Sequence, residues 1–195
     1  MPATKDQIAD TFMRHVERFG YGKASVEEVA SELGISKRTV YQHFSSKRDL
    51  YAYVVDRIGD SEEARLRGAL ESEPTYRAKM LRFLTLVVGG MRAHIAETSK
   101  ADWMQEFEIA YDAMARAYGA VGVELVEKGA AAGEFEFGDG QLADGLIGAM
   151  VTHYGTLVRE DTTYDRDEVL VAAVMRMLGG PCAAPEGGAA GAEKE

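Results

Sequence analysis

SVEEVASELGISKRTVYQHFSSKR, residues 25–48, decides the architecture of this chain. Ser25 followed three residues later by Glu28 has the form of a capping box: the hydroxyl accepts from the Glu28 N–H and the carboxylate reaches back. Val29, Ala30 and Leu33 then line one helical face, with Ala30 small where a second helix crosses closely. Gly34 supplies the left-handed residue that ends a helix, and Ile35 plugs the corner. Ser36 is an N-cap for a second helix over 37–44, in which Val40 and Phe44 face inward and Lys37, Arg38, Thr39, Tyr41, Gln42 and His43 face outward. Two short helices at a sharp angle, the second polar and basic, have the shape that enters a DNA major groove.

The overall charge of −10 opposes approach to a polyanion. Its distribution removes the conflict. Residues 1–60 hold 9 basic and 9 acidic side chains, whereas residues 61–195 hold 13 and 23. From Gly34 to Arg48 the charged residues are Lys37, Arg38, Lys47 and Arg48, with no acid among them. The field at the point of contact governs approach more than the sum does.

Length and composition point to an all-α protein of two helical units with about nine helices, long enough to bury a sizeable core. No charge-free run is long enough to cross a bilayer and Met1 opens no signal-peptide pattern, so a cytoplasmic location and no membrane partner are expected. The single cysteine, Cys182, has no partner for an internal disulfide. The expected layout is a helix-turn-helix domain over 1–50, a helical ligand-binding and dimerisation domain over 51–179, and a disordered tail over 180–195.

Helix starts recur as a cap residue with an acceptor three positions on: Thr4 and Gln7, Ser25 and Glu28, Ser46 and Asp49, Ser99 and Asp102, Asp165 and Glu168. The first helix, from about Lys5 to Phe19, is expected to bury Ile8, Phe12, Val16 and Phe19. A long helix from Ser46 runs through Leu50, Val54 and Ile58 toward Leu70, weakened by Gly59 and Gly68. Beyond Pro74, apolar stripes run through Met80, Leu84, Val87, Met91 and His94, then through Trp103, Phe107, Tyr111, Met114 and Tyr118. A last pair spans roughly Asp139 to Val158 and Asp165 to Leu178, while Phe135-Glu136-Phe137 is too short for a strand.

With Gly20-Tyr21, Ser25-Val26, Val29-Ala30, Leu33-Gly34-Ile35-Ser36, Thr39-Val40-Tyr41, His43-Phe44 and Ser46-Lys47 in place, about residues 4–60 resemble the tetracycline-repressor-like (TetR) family of bacterial one-component regulators. The later part is loosely similar, through Ala132-Gly133-Glu134-Phe135 and an Asp139 cap before a long helix. The resemblance implies a homodimer on double-stranded, palindromic operator DNA, a small-molecule effector bound by the C-terminal unit, and release of DNA when the fourth helix shifts. It implies DNA contact by Lys37, Arg38, Thr39, Tyr41, Gln42 and His43, with Lys47 on a phosphate. Two departures stand out: Glu27 occupies a position where many members carry a basic DNA contact, and Arg38 one that is commonly small.

Side-chain chemistry agrees with these roles. Lys37 and Arg38 can reach guanine edges or phosphates, Gln42 pairs with adenine, and the Thr39 and Tyr41 hydroxyls suit phosphates. Met91, His94, Trp103, Phe107 and Tyr111 are the candidate effector contacts, since Met and aromatic walls around a few polar tips suit a ligand site; the competing reading is ordinary core, and a break near Ile109 would divide the stripe. Leu146, Met150, Leu157, Leu170, Val174 and Met177 are the candidate dimer seam, with closure of the protomer's own core as the alternative. No metal-ligand spacing, cofactor motif, nucleophile–base pairing or phosphate loop is present, so neither an enzyme nor a bound cofactor is expected. A ligand-responsive transcriptional repressor is the reading that follows; a DNA-bound adaptor whose acidic C-terminal unit recruits another protein is the alternative.

Overall fold

The computed structural model describes residues 3–97 and 100–179, with the side chains of residue 97 and of residues 100–112 outside the description. Its described residues form eight helices and no strand: α1 (Lys5–Phe19), α2 (Val26–Glu32), α3 (Lys37–His43), α4 (Lys47–Leu70), α5 (Tyr76–Glu97), α6 (Lys100–Ala131), α7 (Gly140–Glu160) and α8 (Asp167–Met177). The count is eight rather than about nine because α6 runs unbroken past Ile109. Cys182, the 180–195 tail and the cap at Ser99 lie outside the described residues.

Short polar side chains set the starts. Thr4 and Gln7 complete a reciprocal capping box on α1. Ser25, Ser36, Ser46 and Asp139 each accept from the backbone N–H three residues on, satisfying a donor that the helix leaves open. Two expected boxes are only half made. The Glu28 carboxylate lies 3.7 Å from His15 Nδ1, and Asp49 accepts from the Ser45 N–H at 2.7 Å. At α8 the expected Asp165 cap is replaced: Arg166 occupies the cap position with no side-chain bond that caps the helix, and its N–H goes to the Tyr154 hydroxyl.

The first core is made by α1 to α4. Ile8, Phe12, Val29, Val40, Phe44, Leu50 and Val54 are enclosed there, and Ala113 of α6 joins them. A second core gathers Leu66, Met80, Leu84, Val121, Val126, Ile147, Val174 and Leu178 from α4 to α8. A smaller third holds Val88, Ile95, Tyr154 and Val158. Each such side chain contributes roughly 1.5–3 kcal/mol by leaving water.

Two large apolar residues of the first four helices, Phe19 (expected inside) and Ile58, are on the surface. Phe19, in the last turn of α1, leans on the His15 ring and under Arg18. Ile58 is exposed because the buried face of α4 passes from Val54 and Val55 to Gly59, where α6 crosses. A β-carbon on Gly59 would lie 3.2 Å from the Ala113 carbonyl oxygen, so the glycine lets α6 cross α4 a few tenths of an ångström closer than a side chain allows. α4 therefore starts in the first core and ends in the second.

Candidate nucleic-acid interface

The reader is built by a tight corner. Gly34, at φ +63°, turns the chain after α2, and the Ile35 N–H returns to the Ala30 carbonyl at 2.9 Å. Ser36 caps α3 through the Thr39 N–H at 3.1 Å, and the two hydroxyls lie 2.9 Å apart. Val40 and Phe44 are buried as anchors. The opposite side of α3 stands open. Lys37, Arg38, Gln42 and His43 are exposed, Tyr41 is 43% exposed, and Thr39 is half-buried.

This face is rigidly backed. Arg14 and His15 of α1 both bond Glu32 at the end of α2, at 2.6 and 2.8 Å, and that pairing holds the Glu32 carboxyl below its ordinary range. Arg57 of α4 reaches Asp10 of α1 at 2.8 Å. Tyr21 packs between Phe12 and Tyr51, with ring centroids 6.5 and 4.7 Å away, and burial pushes its phenol pKa up.

Two cations behave differently from their sequence pattern. Lys47, expected on a phosphate, is half-buried: its ammonium donates to the Tyr21 and Gly22 carbonyls and lies 4.4 Å from the Tyr21 ring centroid. Lys37 is hydrogen-bonded to Glu27 of α2. Neither contact had a local signal, because the partners are separated by 26 and 10 residues and meet only when the corner closes.

Of the expected effector residues, the described side chains are those of Met91 and His94. Met91 is half-buried in the third core, against Gly155, where a β-carbon would come within 2.7 Å of its sulfur. His94 lies on the exposed side of α5 rather than partly buried. The side chains of Trp103, Phe107 and Tyr111 are outside the described residues. An open cleft of about 600 Å³ between α6 and α7 is lined by other residues, among them Arg116, Gly119, Val123, Gln141 and Asp144. Desolvation there raises the Asp144 carboxyl pKa.

Of the candidate seam, Leu146 is 41% exposed, while Met150, Leu157, Leu170 and Met177 are half-buried. Val174 is a correction: it is fully enclosed in its own chain, so it has no surface to offer a second copy. Leu142 and Val169, which the pattern did not single out, are open on α7 and α8. Among the described residues no group of three His, Cys, Asp or Glu is arranged to hold a metal, and no helix is long and apolar enough to cross a membrane.

Residues 10–54 match the model of the family described as "Bacterial regulatory proteins, tetR family". The HTH-type transcriptional activator FasR of Mycolicibacterium smegmatis is 39% identical over 61 residues, a match spanning 31% of this chain and 28% of FasR. Two solved structures share the fold along nearly the whole length. The fatty acid degradation regulator FadR from Bacillus halodurans is 22% identical with a TM-score of 0.60, over 92% of this chain and 96% of that one. RolR in complex with resorcinol is 17% identical with a TM-score of 0.72, over 92% and 89% of the two chains.

Proposed function

We propose, from the match of residues 10–54 to the tetR family of bacterial regulatory proteins, that the protein is a ligand-responsive repressor that binds palindromic operator DNA as a homodimer. One observation carries the reading. α3 exposes Arg38, Tyr41, Gln42 and His43 together, while Val40 and Phe44 fix its other side in a core. Such an edge suits base and phosphate contact in a major groove.

One short reader has little affinity by itself, and two on a two-fold axis match two half-sites. The open Leu142, Leu146 and Val169 support a pairing surface on α7 and α8. RolR was solved with resorcinol, and by analogy we assign effector binding to the C-terminal unit, around Met91 of α5 and Trp103, Phe107 and Tyr111 of α6. α4, shared by both cores, is the element through which an effector would move the reader. A preference of a few kcal/mol for the DNA-incompetent form is enough, since about 1.4 kcal/mol is tenfold. FasR is named an activator; we assign repression here, in which an occupied operator blocks the promoter. The site of action is the cytoplasm, where the chromosome lies.

The test is selection of duplexes from a random pool by the full chain. A palindromic sequence should emerge, with log affinity falling linearly with log salt, and a Tyr41→Ala, Gln42→Ala variant should lose it. Equal binding by that variant overturns the assignment.

A further inference from the structure

Beside the reading edge stands a carboxylate, a charge that phosphates repel. Glu27, exposed in the first turn of α2, bonds the ammonium of Lys37, the first residue of α3. That ammonium also lies 5.8 Å from the Tyr41 ring centroid, so the pair sits within the outward face. The hydrogen bond between them lowers the Glu27 pKa and raises that of Lys37, so both stay charged. The cap of α2 is made by Ser25 through the Glu28 N–H at 3.1 Å, and the Glu27 carboxylate also accepts from its own N–H and the Ser25 hydroxyl at that helix start.

We propose that Glu27 is a specificity-determining residue: by holding Lys37 it lowers affinity for arbitrary duplex DNA and leaves recognition to the base-reading side chains of α3. This deepens the DNA-binding reading and rests on it. Sequence-independent binding comes from cations that replace counterions along the phosphates, each steepening the log K against log salt slope by about 0.9. A lysine already paired with a carboxylate brings no net charge to that exchange. To reach a phosphate it must leave Glu27, whose bare carboxylate would then face the same phosphates at short range. Arg38, Gln42 and His43 are outside the pair. Their donors are unaffected, so base reading carries a larger share of the binding free energy that remains.

The experiment uses the full chain and a random-sequence 40-base-pair duplex, with affinity followed by fluorescence anisotropy between 50 and 200 mM salt. E27Q should bind about fivefold to tenfold more tightly at 0.1 M salt for each reader engaged, with a slope steeper by about 0.9 per reader. The E27Q/K37Q double variant should return to wild-type affinity and slope, because it restores a neutral pair of positions. E27Q indistinguishable from wild type, or a gain that survives in the double variant, overturns the proposal. A wild-type chain that selects no sequence from a random pool of duplexes would instead remove the DNA-binding reading itself.

Discussion

The Tyr154 hydroxyl on α7 donates to Asp167 Oδ1 on α8 at 2.5 Å, and that bond fastens the start of α8 to the body of the second unit. The same oxygen accepts from the Arg166 N–H at 2.8 Å, standing in for the side-chain cap that α8 lacks. Arg92 of α5 completes the junction, at 2.8 Å from the Tyr164 carbonyl oxygen and 3.3 Å from Asp167. Burial, and donation to Asp167, push the Tyr154 phenol pKa up. Tyr154→Phe keeps the ring and deletes both bonds, the first of them to a charged group, together with a longer one that the hydroxyl accepts from Arg92 at 3.4 Å. The loss should be roughly 1.5–3 kcal/mol, read from urea denaturation; coincident curves would show that the junction is held by packing alone.

Gly59 and Gly68 respond oppositely to a side chain although both interrupt the same helix. Gly59 meets the Ala113 carbonyl oxygen of α6, whereas a β-carbon at Gly68 has nothing within 4 Å. Gly59→Val forces α4 and α6 apart and should cost roughly 1–3 kcal/mol, as overpacking generally does. Gly68→Ala should add about 0.5–1 kcal/mol from helix propensity alone. Thermal melts of the two variants must shift in opposite directions.

That contrast shows where the sequence was informative. Caps at Thr4, Ser25, Ser36 and Ser46, and the left-handed turn at Gly34, are local chemistry, so they were legible residue by residue. The inward Val40 and Phe44 and the outward Tyr41, Gln42 and His43 follow from helical spacing on a short helix. Contacts between distant segments left no such trace. Glu27 on Lys37, Lys47 on the Tyr21 carbonyl, Ala113 in the reader's core and Val174 inside its own protomer depend on which helices meet. Ile58 is exposed for the same reason, since α6 meets the adjoining face of α4 at Gly59.

Acid should weaken the fold through specific carboxylates. Glu124 is held below its ordinary 4.5 by bonds from Lys128 and Arg67, and Glu32 by bonds from Arg14 and His15. A lowered folded pKa contributes stability that is present above 4.5 and lost as pH falls through the folded value. Asp144 has the opposite sign: desolvation raises it above 3.8, so its charge opposes folding at neutral pH and its protonation relieves the strain. Asp144→Asn should therefore be more stable than wild type at pH 7, with the difference closing toward pH 3. Parallel stability–pH curves would contradict the desolvation of that side chain.

Lys47 offers a separable prediction about the reader. Its ammonium bonds two carbonyls of the turn between α1 and α2 and lies over the Tyr21 ring, so it stabilises the domain before any DNA arrives. Lys47→Ala should lower unfolding stability by roughly 1–2 kcal/mol in the absence of DNA. An unchanged melting temperature accompanied by weaker DNA binding would make it a phosphate contact and nothing more.

The pairing surface can be tested without disturbing the protomer. Leu146 is 41% exposed and Leu142 53% exposed, both on α7, and Val169 on α8 is 62% exposed. Their side chains gain little burial inside one chain, so a charge there leaves the cores intact. A carboxylate buried at a symmetric seam meets its own copy or lies desolvated, and either costs several kcal/mol. Leu146→Glu should thus turn a dimer into a folded monomer in sedimentation, with the helical content of the parent. It should also bind DNA more weakly, because two readers are no longer held at one spacing. Leu157→Glu, half-buried in the protomer, should cost fold stability as well. A Leu146→Glu chain that sediments as the wild type does would place the seam elsewhere on the surface.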